Sequence, residues 1–178
     1  GPKRPDTRFY ASGPQSKWLE GLAGRGAKGG ITVTGLGEEI GRASAIKMTY
    51  AALTKGTMTL QAAVLMTAMR LGVFDELGRE FQKSQSEAWA RMGVLPFLPA
   101  DSGRWIGEME QIAATFRDAG VPNDFHRGAA AIFRIMAATP FAAESRESLD
   151  RSRTLEDAIR VFSEQLPARQ GDDPARDA

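Results

Sequence analysis

The feature that most constrains this chain is a long apolar helical segment. Residues 37–56 read GEEIGRASAIKMTYAALTKG, and from Gly56 to Met69 there is no charged residue at all. Alanine, leucine, valine and methionine recur without a polar face, so the pattern predicts one helix over residues 41–71. A helix apolar on every side is expected to be buried. Lys47 enters it early, on a stripe with Ser44, Tyr50, Ala51 and Thr54 at helical spacing. A lysine in such a setting either snorkels to solvent or, once desolvated, exchanges a proton. Lys55 falls about 80° round the helix from that stripe and is the weaker candidate.

The chain has 178 residues, enough for one domain with an appendage. Twenty-three basic against 22 acidic residues leave +1, which gives no global pull toward nucleic acid. The absence of cysteine excludes disulfides and thiolate chemistry, and a single histidine argues against a histidine-rich metal centre. No metal site is expected. No stretch reaches the roughly 18 apolar residues of a membrane span, so a cytoplasmic protein with no membrane partner is the plain expectation.

Ahead of the long helix, residues 7–12 (TRFYAS) and 31–34 (ITVT) read as strands. Between them a short helix, opened by Pro14, runs to about residue 23. Strand–helix–strand over this length is a βαβ unit, which needs further strands and cover to be stable. The loop Gly24-Arg25-Gly26-Ala27-Lys28-Gly29 spells G-x-G-x-x-G, but a helix precedes it and a strand follows. A dinucleotide fingerprint needs the reverse order, so these glycines read as cap and turn residues.

Beyond the long helix, helices are expected over residues 75–83 and 86–92, then a proline-bounded loop over 94–99. The next helix, 104–119, is capped by Asp101 or Ser102 and buries Trp105, Met109, Ile112, Ala113 and Phe116. A helix to residue 138 buries Phe125, Ala129, Ile132, Phe133 and Met136. Thr154 and Asp157 resemble a capping box before a last helix to residue 166. Residues 167–178 carry charge without apolar anchors and read as a disordered tail.

Arg104 and Glu108 form an i,i+4 pair beside Trp105. They are either a surface ion pair or, in the sharper reading, a place where arginine holds a substrate carboxylate or phosphate. His126, in a first helical turn, is either a packed histidine or a general acid or base.

These segments together resemble a known family. FYASGP, a helix, a glycine loop, ITVTGLGEEIG and a long helix carrying Lys47 look like the junction in β-hydroxyacid and 6-phosphogluconate dehydrogenase-like proteins. ASAIKMTYAALTKG followed by RWIGEMEQIAATFRDAG is similar to a poorly characterised bacterial, NAD(P)-binding branch. The resemblance covers residues 7 to about 138. It implies a mainly α chain: residues 1–36 the remnant of a Rossmann domain, 37–166 a helical substrate and dimerisation domain around one long buried helix, 167–178 the tail. It further implies the C-terminal half of an NAD- or NADP-dependent oxidoreductase acting on a small hydroxy acid or related polar molecule. Lys47 would be the catalytic acid/base, Tyr50, Thr54 and Arg104 would contact substrate, and two copies would associate through the helical domain. The other reading is a non-catalytic dimerisation module. Two departures stand out. The asparagines that many members carry three and four residues after the lysine are here Tyr50 and Ala51, and Glu108-Met109-Glu110 replaces a K-D-L stretch. The true glycine fingerprint, with the serine and glycines of the Rossmann half, is expected upstream of Gly1.

Overall fold

The structure, a computed structural model, describes residues 7–24 and 30–168. Its contacts fall into two compact units, 1–51 and 52–178, that divide within the long helix. The glycine loop at 25–29 and the tail at 169–178 lie outside the described residues.

The first unit is the expected β-α-β arrangement. Strand β1 (Arg8–Ala11) and strand β2 (Thr32–Gly35) run parallel, with Arg8 opposite Thr32 and Ala11 opposite Gly35. Parallel strands need a crossover, and helix α1 (Ser16–Glu20) supplies it. At Gly13 the chain leaves β1 with φ +116°, a backbone region closed to most side chains. Its N–H donates to the carbonyl of Gly37 at 3.0 Å.

Helix α2 (Arg42–Arg70) begins in this unit and continues into the second. Gly72, at φ +71°, ends it. Burial begins only at Ala52 and takes in Gly56, Thr59, Ala62, Leu65, Met66 and Ala68, while no residue from Arg42 to Ala51 is buried. Leu53 (75 % exposed) and Leu60 lie on another side and face outward. The expectation of a helix buried all round is therefore corrected. Its contacts with the later helices include Lys55 bound to Glu108, Gly56 against Phe125 and Arg70 bonded to the carbonyl of Ser163.

The second unit is all helical. It continues with α3 (Phe74–Ser84), α4 (Ser86–Met92), α5 (Pro99–Asp118), α6 (Asp124–Ala137) and α7 (Leu155–Glu164). Short 3-10 turns at Leu95–Phe97 and Pro140–Ala143 link them. Helix α5 starts five residues before the expected position. Pro99 suits a first helical turn, where its missing N–H has no partner to lose. Neither Asp101 nor Ser102 therefore caps it; both lie inside its first turn, and Ser102 Oγ donates to the Leu98 carbonyl at 2.9 Å. Helices α5 and α6 form an antiparallel-type hairpin turned at Gly120, and their interface buries Met109, Ile112, Ala129, Phe133 and Met136. Trp105 meets Phe133 edge-on, with centroids 5.3 Å apart. The cap on α7 is as expected, with the Asp157 N–H donating to Thr154 Oγ1 at 3.1 Å.

Candidate functional site

In the first unit, the chemistry gathers where β1 ends. Ser12 and Gly13 follow the last residue of β1 and, with Gln15, Ser16, Trp18 and Ile40, line an open-sided hollow of about 460 Å³. Ligands of parallel α/β sheets sit beyond the carboxyl ends of the strands, which is the position of this hollow. Trp18 (77 % exposed) and Ile40 offer apolar walls, while Ser12 and Ser16 supply hydroxyls. Ser16 Oγ donates to the Gly37 carbonyl at 3.3 Å. Ser12 Oγ accepts the N–H of Ala43 at 3.1 Å, and so caps the first turn of α2.

That cap fixes where Lys47 stands. It is four residues beyond Ala43, hence on the same side of α2 and about 6 Å further along its axis. Side chains on a helix lean toward its N-terminus, which here is the end tied to Ser12. Lys47 and Tyr50 are both exposed. The burial expected to tune Lys47 is thus not supplied by the described residues. Thr54, two turns on, is also exposed.

Arg104 belongs to the second unit and has different company. Its guanidinium donates to Glu108 Oε1 and to Asp101 Oδ1, each at 3.0 Å. Glu108 in turn holds Lys55, and Asp101 takes two bonds from Arg146, at 3.0 and 2.7 Å. The result is a continuous alternation Lys55–Glu108–Arg104–Asp101–Arg146, three cations and two carboxylates. Lys55 Nζ lies 5.6 Å from the centroid of Trp105, and Arg104 lies 5.9 Å from it on the guanidinium carbon. Asp101 ends below the ordinary carboxylate value. Burial, the largest influence, pushes it up, but the hydrogen bonds and charges of Arg146 and Arg104 together reverse that. The ion-pair reading of Arg104 and Glu108 is therefore realised, and any anion reaching Arg104 competes with carboxylates already in place.

His126 is buried, 6 % exposed, with its ring between Phe116 (4.1 Å between centroids) and Phe125 (5.3 Å). Phe125 itself, expected in the core, is half exposed because His126 takes the inward position of that turn. Among the described residues no group of acids and histidines can hold a metal ion.

Sequence reasoning treated Pro14 as the opening of a helix, which in fact begins at Ser16, and missed the hollow. The available signal was a serine directly after a strand and directly before a glycine with a proline behind it.

Residues 68–136 match the model of a domain of unknown function, DUF1932. Two solved structures are similar to this chain. One is a conserved hypothetical protein from Sinorhizobium meliloti 1021, 20 % identical, with a TM-score of 0.63 over 88 % of this chain and 51 % of that one. The other is the conserved protein MTH1747 of unknown function, reported to be structurally similar to 3-hydroxyacid dehydrogenases. It is 24 % identical, with a TM-score of 0.58 over 75 % of this chain and 51 % of that one. At these identities the likeness shows the fold. The chain spans about half the length of both structures. No curated protein matches it. Among the described residues no helix is long and apolar enough to cross a membrane.

Proposed function

We propose that this chain is the C-terminal half of an NAD(P)-dependent dehydrogenase acting on a small hydroxy acid or a related polar molecule. The observation that carries this reading is a β-α-β unit whose hollow at the strand ends leads directly into a long helix bearing Lys47. The fold shared with MTH1747 supports it. In this reading Lys47 exchanges a proton with the substrate hydroxyl, and Tyr50 and Thr54 orient the substrate by hydrogen bonds.

The cofactor itself does not fit the described residues. Of the two described connections from strand to helix, Gly13-Pro14-Gln15 leads into a helix of five residues, too short a platform for a pyrophosphate; the other, residues 36–41, carries Glu38 and Glu39 into α2, where the Ala43 N–H is already taken by Ser12 Oγ. Cofactor binding is therefore assigned to sequence beyond this chain, and the 178-residue chain is expected to show no saturable NADH or NADPH binding. In a longer protein that carries a cofactor domain, Lys47→Met is expected to lower kcat by about 10²–10⁴-fold. Its exposed position predicts a stability within about 0.5 kcal/mol of wild type. Turnover that survives this substitution would remove Lys47 from the chemistry.

The row of exposed Leu53 and Leu60 on α2 supports association of two copies through the helical domain. Sedimentation equilibrium checks this; a monomer at 100 μM would count against it.

A further inference from the structure

The catalytic reading leaves one buried titratable side chain unused. His126 is more than nine-tenths buried, and its Nδ1 has no hydrogen-bond partner among the described residues. Its surroundings are aromatic on both sides. Phe116 of α5 lies edge-on at 4.1 Å and Phe125 of α6 at 5.3 Å, nearly perpendicular. Phe125 extends the stack to α2, since a Cβ placed on Gly56 would come within 2.9 Å of its ring. Helices α5 and α6 therefore meet at the imidazole, and Phe125 links it to α2.

We propose that His126 is a proton-operated latch on this contact: the neutral ring fills the slot between Phe116 and Phe125, and the protonated ring leaves it.

Three observations support this. A protonated imidazole carries two N–H donors and a charge, and this slot offers Nδ1 no acceptor. The ring lies in the first turn of α6, where the helix dipole presents partial positive charge and disfavours a second one. The charged groups on the surrounding helices are engaged elsewhere or face outward. On α5, Arg117 pairs with Asp118, Glu110 with Arg134, and Glu108 with Lys55 and Arg104. On α2, Lys55 is turned to Glu108; on α6, Asp124 and Arg127 are exposed. Burial alone pushes His126 below its ordinary value near 6.5, with no charged neighbour contributing.

The sign follows. A histidine that resists protonation when folded stabilises the fold fully at high pH, and that contribution is lost as pH falls below the unfolded value of about 6.5. The latch is closed at neutral pH and opens in acid. Opening exposes Phe116 and frees the first turn of α6.

The chain has a single histidine, so one imidazole resonance reports the site directly. Proton NMR of the intact chain from pH 8 to 4.5, with amide exchange followed in parallel, is the test. The expected result is a midpoint below that of a free histidine, together with faster exchange at residues 124–128 through the same transition. An ordinary or raised midpoint overturns the proposal. So does a lowered midpoint with unchanged exchange at 124–128. His126→Phe, which keeps a flat ring without a proton site, is expected to lose most of the change in thermal midpoint between pH 7 and 5. Retention of that change in the variant overturns the proposal too. Should the variant not fold, the wild-type titration and exchange decide alone.

Discussion

The pair Lys55–Glu108 ties α2 to α5, and the structure predicts an asymmetry between its two members. Their side chains are 14 % and 24 % exposed, well short of an open surface. Open-surface pairs contribute about 0.2–1 kcal/mol, whereas breaking a buried pair costs about 3–5 kcal/mol. This pair falls between the two. Glu108 has a second cation, Arg104, at 3.0 Å, so Lys55→Met leaves the carboxylate paired and is expected to cost about 1 kcal/mol. Glu108→Gln instead leaves an ammonium beside the Trp105 ring without its carboxylate, and is expected to cost about 2–3 kcal/mol. The double variant closes the cycle with a coupling of about 1–2 kcal/mol. Urea unfolding at pH 7 measures all four proteins, and fluorescence is an apt probe because Trp105 lies against the pair. If Lys55→Met proved the costlier substitution, or the coupling fell under about 0.3 kcal/mol, the reasoning from burial and partner count would be wrong.

Other consequences are direct. Phe133 is fully buried and packs edge-on against Trp105, so Phe133→Ala is expected to lose about 3–5 kcal/mol in the same unfolding assay. Asp101 sits below its ordinary value, so its contribution is present above the unfolded carboxylate value of about 3.9 and is lost as pH falls through the folded one. Asp101→Asn should accordingly be less stable than wild type at pH 7, and the gap should narrow below about pH 4 as wild type gains the same neutral side chain. A gap constant with pH would show that the two arginines do not act through the charge of Asp101.

Periodicity made most of the helices legible, because their signals are local. α4 is bounded by Ser86 and Gly93, and α7 by the Thr154 cap, and both elements stand where those residues place them. The errors arose where two local signals competed or where the deciding contact was distant. At the start of α5, Asp101 and Ser102 look like caps, but Pro99 two to three residues earlier already satisfies the first turn. At Phe125 the helical stripe is genuine, yet adjacent residues compete for one inward position and His126 occupies it. The expected burial of α2 failed for a different reason: composition reports what a face prefers and cannot report whether a neighbour is there. The site was legible only in its helical half. Lys55 meets Glu108 across 53 positions and Asp101 meets Arg146 across 45. No spacing rule reaches that far, so the alternation of charges was visible only as the single i,i+4 pair at Arg104.

Two lysines eight residues apart on one helix therefore have opposite physical situations. Lys55 is mostly buried and committed to a carboxylate, so its ammonium serves to fasten α2 to α5. Lys47 is exposed, on the turn beyond the Ser12 cap. An amine gives up its proton readily when it is desolvated, and the described residues leave Lys47 in solvent. On the proposed reading the desolvation must come from what closes over this end of α2, substrate together with the remainder of the protein. Cover and catalytic competence then arrive in one event. Lys47 in this chain alone, being exposed, should consequently be open to labelling by an amine-directed reagent such as trinitrobenzenesulfonate. Lys47 in the longer, substrate-bound protein should be protected by at least tenfold, and equal labelling in both states would show that nothing closes over it.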